Sequence, residues 1–185
     1  MKLAYIIFDG ITWLDLIGIY DPISRLKSMK YLPDLSWDIC STAESAKDNF
    51  GLEIKATRVN QPLTGYDAII IPGGHGTRSL QTDTSFLQWI KTAEQSPYKI
   101  SICTGSLILG AAGFLKNKTA TTNFLEYDAL KQYCSKVSTE KIVDDENVIT
   151  AGAVSNSINL GLYLCNKWAG EEAVKEIKKR IDFYV

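Results

Sequence analysis

Lys99-Ile100-Ser101-Ile102-Cys103-Thr104-Gly105-Ser106 is the stretch whose reading decides the fold. A short β-prone run ends at a cysteine, and a helix of small residues starts directly after it. This order sets a thiol on a tight turn between a buried strand and a helix N-terminus, where unpaired N–H groups and the positive end of the dipole favour a thiolate. A strand-to-helix turn is also how nucleophile elbows expose an attacking atom. Against this stands the ordinary fate of a free cysteine, a small buried core residue. The neighbouring sequence has to separate the two.

Outward from that turn, short β-branched or apolar runs alternate with longer helical patterns. Strands are predicted at 3–8, 37–42, 68–71, 100–103, 119–122 and 148–150, with a minor pair from 52–56 and 140–143. Helices are predicted at 15–29, 84–94, 104–114, 124–133, 155–168 and 171–183. The last carries helix-spaced charge pairs, Glu171 with Lys175 and Glu176 with Arg180, above a stripe of Ala173, Ile177 and Ile181. Pro22 falls inside the first pattern, so that helix either begins near Asp21 or carries a local distortion. Strand–helix alternation predicts an α/β fold, a mostly parallel central sheet with helices on both faces.

Parallel sheets hold ligands at the carboxyl ends of their strands. Here those ends read Phe8-Asp9-Gly10, Ile71-Pro72-Gly73-Gly74-His75-Gly76, Ile102-Cys103-Thr104-Gly105, Thr121-Thr122-Asn123 and Ala151-Gly152-Ala153-Val154-Ser155-Asn156. Glycines and small polar residues gather at five turns along one edge, and one of them carries the thiol. That convergence favours a site over a core role for Cys103. Gly73 and Gly74 let the chain turn sharply after a buried strand and aim N–H groups at a neighbour. With the Thr104 N–H they form an oxyanion-type cradle beside the thiol, although spacing alone does not separate this from a plain tight turn. A phosphate-loop reading is poor because no G-K-[ST] follows, and the dinucleotide fingerprint fails at Ser79.

Asp15 follows the first strand–helix turn within an apolar run. Its spacing favours a helix cap. The alternative is a carboxylic acid held dry, with a raised pKa, that shares a proton with the thiol. His75, the single histidine, lies on the glycine turn, where a loop-surface role competes with one beside the thiol; a Cys–His dyad has no other imidazole to use. Cys40 and Cys165 fall in apolar patterns and read as core, and Cys134 closes a helix.

The chain's 185 residues suit a single domain, 1–185, able to bury a core without disulfides. A net charge of −1 gives no reason to expect nucleic acid or an anionic membrane as partner. The apolar start is broken by Asp9-Gly10, and no apolar segment approaches the ~20 residues of a membrane span. Four scattered cysteines without a C-x-x-C pair suggest neither a disulfide framework nor a zinc site. The expected compartment is the cytoplasm.

The quoted residues, with Phe8-Asp9-Gly10-Ile11-Thr12-Trp13-Leu14-Asp15-Leu16, Ile71-Pro72-Gly73-Gly74-His75-Gly76, Cys103-Thr104-Gly105-Ser106-Leu107 followed by Leu109-Gly110-Ala111-Ala112-Gly113, and Thr119-Ala120-Thr121-Thr122, resemble the ThiJ/PfpI superfamily of class I glutamine amidotransferase-like proteins over nearly the whole chain. Within it the pattern is most similar to isonitrile hydratases. The resemblance implies a flavodoxin-like three-layer sandwich, Cys103 as nucleophile, Asp15 as its acidic partner in place of a cap, and a homodimer with sites near the interface. Two positions depart from the pattern. Asn123 stands where relatives often carry histidine and Asn159 where they often carry aspartate, so a His–Asp pair has no residues here. His75 and Asn123 remain candidates for the groups around the pair. The expected activity is hydration of an isonitrile, a small-molecule substrate, to an N-substituted formamide through a Cys103 thioimidate, with no cofactor and no metal. The alternatives are a redox or stress sensor with an oxidisable Cys103, and a glyoxalase- or deglycase-like activity on small carbonyl compounds.

Overall fold

The computed structural model describes residues 1–183. In chain order its elements are β1 (Lys2–Ile6), α1 (Trp13–Ser28), β2 (Ser36–Ser41), β3 (Ser45–Lys47), β4 (Glu53–Lys55), β5 (Arg58–Val59), β6 (Ala68–Ile71), α2 (Thr77–Leu80), α3 (Thr84–Lys91), β7 (Tyr98–Ile102), α4 (Gly105–Ala111), β8 (Thr119–Ala120), a 3₁₀ turn (Phe124–Glu126), α5 (Tyr127–Leu130), β9 (Lys136–Val137), β10 (Ile142–Asp145), β11 (Val148–Ala151), α6 (Asn156–Ala169) and α7 (Glu171–Arg180). Seven strands form one sheet in the order β10-β11-β7-β6-β1-β2-β5. Every pairing in it is parallel except the β10–β11 edge hairpin.

The central strands explain the layering. Leu3 to Ile6, Ala68 to Ile71 and Ile100 to Ile102 are fully buried at consecutive positions. Because neighbouring residues of a strand point to opposite faces, a continuous apolar run is stable only when both faces are covered. α1, α6 and α7 pack together, while α4 lies against β6 and β7 and packs with α2 and α5. The chain leaves β1 for β2 on one side and returns to β6 on the other, so strand order reverses between β1 and β6. A crevice at the carboxyl ends of β1 and β6 follows from that reversal, and β7 with Cys103 is next in the sheet.

Several predicted elements are corrected. The run 119–122 forms a strand only at Thr119–Ala120, paired with β9 outside the main sheet, and the Thr121 N–H donates to Thr150 Oγ1 at 2.9 Å instead. The minor strands exist but do not pair with each other: β4 pairs with β3, and β10 with β11. The helix expected at 124–133 is a 3₁₀ turn followed by the four-residue α5. α1 begins at Trp13 and continues through Pro22. The missing proline N–H deprives the Gly18 carbonyl of its intrahelical donor. α6 closes on that place, since a Cβ on Gly161 would lie 3.0 Å from the Gly18 oxygen. No helix among the described residues is long and apolar enough to cross a membrane.

Candidate active site

Cys103 follows the last residue of β7 with φ at +55°, a left-handed conformation rare for a residue with a side chain. Surrounding bonds hold it there. Its N–H is shared between the Ala151 and Gly152 carbonyls, each at 3.0 Å. Its carbonyl accepts from Thr122 Oγ1 at 2.9 Å and Ser106 Oγ at 3.2 Å. The residue is 5% exposed. Strain overruled by a dense bonding network is a mark of functional positions.

Asp15, in the first turn of α1, is completely buried. It does not cap its own helix. Its Oδ2 accepts the Gly73 N–H at 3.0 Å across the crevice, and its Oδ1 has no hydrogen-bond partner among the described residues. Three contacts lace the loop after β1 to the glycine turn after β6 and bring the acid to the thiol: Thr12 N–H to Gly73 O at 2.9 Å, Gly76 N–H to Gly10 O at 3.1 Å, and an Ile11–Gly74 bridge. At Gly73 a Cβ would stand 2.7 Å from Cys103 Cβ, 2.8 Å from Asp15 Oδ2 and 2.8 Å from Thr104 N. Acid, thiol and helix start therefore converge on one glycine.

The electrostatics follow from this burial. Loss of water pushes the Asp15 carboxyl up to about 7, with the Gly73 N–H and the Cys103 side chain pulling it back. Burial and then the charge of Asp15 push the Cys103 thiol up, opposed by the Asn123 amide and by the Thr104 N–H and hydroxyl. Each group thus acts on the other, the thiol easing ionisation of the acid and the charge of the acid opposing ionisation of the thiol.

The expected cradle is redrawn. The Gly73 N–H serves Asp15, and the Gly74 N–H donates to Thr104 Oγ1 at 3.1 Å, so both are engaged within the protein. The Thr104 N–H is the backbone donor that acts on the sulfur. Asn123 reaches the thiol, its Nδ2 lying 3.6 Å from Sγ. His75 is exposed, and none of the site's hydrogen bonds uses its ring. Asn159 bonds Asn156 at 3.4 Å, away from the thiol's contacts. Thr77 escaped the sequence reading. It is fully buried and bonds both Gly74 O at 2.8 Å and Thr104 Oγ1 at 2.9 Å. Nothing local marks it, because a threonine after a glycine turn is commonplace.

Comparison with known proteins matches residues 1–167 to the DJ-1/PfpI family. The chain belongs to that family. Over 185 residues it is 30% identical to the isonitrile hydratase of Pseudomonas putida, covering 99% of this chain and 78% of that protein. It is 24% identical over 166 residues to protein DJ-1alpha of Drosophila melanogaster, covering 88% and 67% of the two chains. Among solved structures, a ThiJ/PfpI family protein from Pseudomonas syringae superimposes with a TM-score of 0.90 at 24% identity, covering all of this chain and 75% of that one. Drosophila melanogaster DJ-1beta superimposes at 0.84 with 18% identity, covering all of this chain and 98% of its own. The mostly parallel sheet with helices on both faces, read from the alternation of strands and helices, is the architecture these structures share, and the family is the one the sequence motifs resemble.

Proposed function

We propose that this DJ-1/PfpI protein hydrates isonitriles, with Cys103 as nucleophile and Asp15 as the acid. The observation that carries the reading is the buried carboxyl beside the elbow thiol, with one oxygen held by Gly73 and the other without a hydrogen-bond partner among the described residues. An isonitrile carbon must accept both a proton and a nucleophile, and a thiol beside a buried carboxylic acid supplies both. The likeness to the Pseudomonas putida isonitrile hydratase supports the substrate class.

In the proposed sequence the Cys103 thiolate forms a C–S bond to the terminal carbon while the Asp15 proton goes to that same carbon, giving a thioimidate and an Asp15 carboxylate. Water then adds across the C=N bond. Its oxygen bonds to carbon, and one proton passes through Asp15 to nitrogen. Collapse of the tetrahedral adduct breaks the C–S bond, and the hydroxyl proton returns to Asp15. The product is an N-substituted formamide, with thiolate and acid restored. The Thr104 N–H and the Asn123 amide support the sulfur when it leaves.

The test is turnover of a simple alkyl isonitrile by wild type, Cys103→Ala and Asp15→Asn. We expect formamide from the wild type alone, and undiminished turnover by Cys103→Ala overturns the mechanism. No turnover by the wild type, with selective addition of oxygen at Cys103 under mild peroxide, would instead favour the sensor reading.

We further propose a homodimer formed through α1. Leu14 and Ile17 are 52% and 43% exposed on that helix. Ile17 lies between two apolar cavities of about 370 and 210 Å³, the first walled by Tyr20, Trp37 and Ile54, the second by Leu14, Pro22, Ile158 and Ile181. A ridge with hollows on either side suits a two-fold, self-complementary contact.

A further inference from the structure

We propose that Asn123 is a positioning residue that holds the Cys103 thiolate through an N–H···S bond, and that a backbone cap locks its amide in that orientation. The inference rests on Cys103 being the nucleophile, as proposed above. The orientation follows from obligatory chemistry. Asn123 precedes the 3₁₀ turn, and its Oδ1 accepts the Leu125 N–H at 3.0 Å. A backbone N–H only donates, so the side-chain atom facing it is the oxygen. The other end of the amide, 3.6 Å from Cys103 Sγ, is then the NH₂ group. The neighbouring residue fixes the distance, because Thr122 Oγ1 donates to the Cys103 carbonyl at 2.9 Å. One dipeptide grips both the backbone and the sulfur of the nucleophile.

An amide in this place gives the sulfur a donor that never titrates. Among the described residues, Asp15 on α1 is the ionisable group acting on the thiol. Glu126, in the same 3₁₀ turn, is held by Arg78 of α2 at 2.6 Å, and His75 is exposed. The exchangeable proton therefore stays on the Cys103–Asp15 pair. An imidazole at 123 would open a second destination for it. Asn123 thus decides how many protons the site handles as well as how readily the thiol ionises.

The experiment follows alkylation of Cys103 by iodoacetamide, a neutral reagent, as a function of pH, with modification read at that residue by mass spectrometry. Asn123→Asp keeps an acceptor for the Leu125 N–H but removes the donor to sulfur. Asn123→Ala removes both. At pH 7.5 we expect alkylation to slow about tenfold in the alanine variant, the loss of one charge-assisted hydrogen bond, and further in the aspartate variant, with both profiles displaced to higher pH. The melting temperature should fall in Asn123→Ala and hold in Asn123→Asp. Alkylation unchanged in Asn123→Asp, with only a lower melting temperature in Asn123→Ala, would reduce Asn123 to a cap and overturn the proposal. In the wild type, the Asn123 side-chain amide resonances should move as Cys103 ionises, and resonances flat through that titration would overturn it as well. Alkylation needs no isonitrile. An absent hydratase activity with shifted profiles would sink the proposed reaction and leave the role of Asn123 standing.

Discussion

Asp15 and Gly73 carry opposite demands at the scale of single residues. A carboxyl whose folded pKa is raised from 3.8 to about 7 resists ionisation in the native state, while the unfolded chain ionises it freely. Between those values the native state holds the extra proton, so its contribution to stability is fully present below pH 4, declines as pH rises, and is gone above 7. At about 1.4 kcal/mol per unit the cost of the buried charge reaches a few kcal/mol. Asp15→Asn, which keeps an acceptor for the Gly73 N–H, should therefore be inactive yet melt higher than wild type at pH 8, with the gain shrinking at pH 4. Calorimetry at the two pH values checks it, and an equal offset at both would contradict the raised pKa. Activity should rise with an apparent pKa near 7 and fall again when the pair loses its second proton. At Gly73 any side chain collides with the thiol carbon, the acid and the Thr104 nitrogen at once. Gly73→Ala should lower kcat/KM roughly a hundredfold, the scale on which small displacements of reacting groups act, and cost about 1–3 kcal/mol in denaturant unfolding.

Among the elements, α1 and α6 form the most extensive helix–helix packing of the described residues, and they approach tightly at two glycines. A Cβ on Gly18 would meet Ser157 Oγ at 2.0 Å and Ser157 Cβ at 2.6 Å, whereas one on Gly161 meets only tight contacts near 3.0 Å. Gly18→Ala should therefore destabilise by about 1–3 kcal/mol and Gly161→Ala by less, an order that chemical denaturation of the two variants tests directly. The strands beneath these helices were readable because an unbroken run such as Ala68-Ile69-Ile70-Ile71 has few other stable fates. The run at 119–122 misled for a related reason. Its threonines favour extended backbone, but with little apolar surface to bury the chain pairs only Thr119–Ala120 and spends Thr121 and Thr122 on hydrogen bonds to Thr150 and Cys103. Glu53–Lys55 looked like half of a minor pair, yet its partner β3 has no apolar alternation to announce it. The site was legible at its ends and obscure in its wiring. Cys103 and the glycine turn carry local signals. The tie from Asp15 to Gly73 spans 58 residues, and close to its own helix start an aspartate reads most simply as a cap.

At the scale of the whole molecule, α1 presents Asp15 to the thiol and Leu14 and Ile17 to the outside within one turn. If two copies join through that face, Ile17→Glu should shift sedimentation from dimer to monomer and leave the melting temperature of the isolated chain little changed, whereas an unchanged sedimentation coefficient would dismiss this interface. The same helix would then report to both places. Covalent occupation of Cys103 and self-association should influence each other by equal free energies, which alkylated and free protein compared in a dilution series would reveal. Cys103 is held at φ +55°, where glycine is at ease and any side chain is not. A population of variants enriched for heat resistance alone would drift toward glycine at 103, and each survivor would be a sturdier, inert scaffold. For this fold, thermal robustness is a misleading guide to which descendants still work.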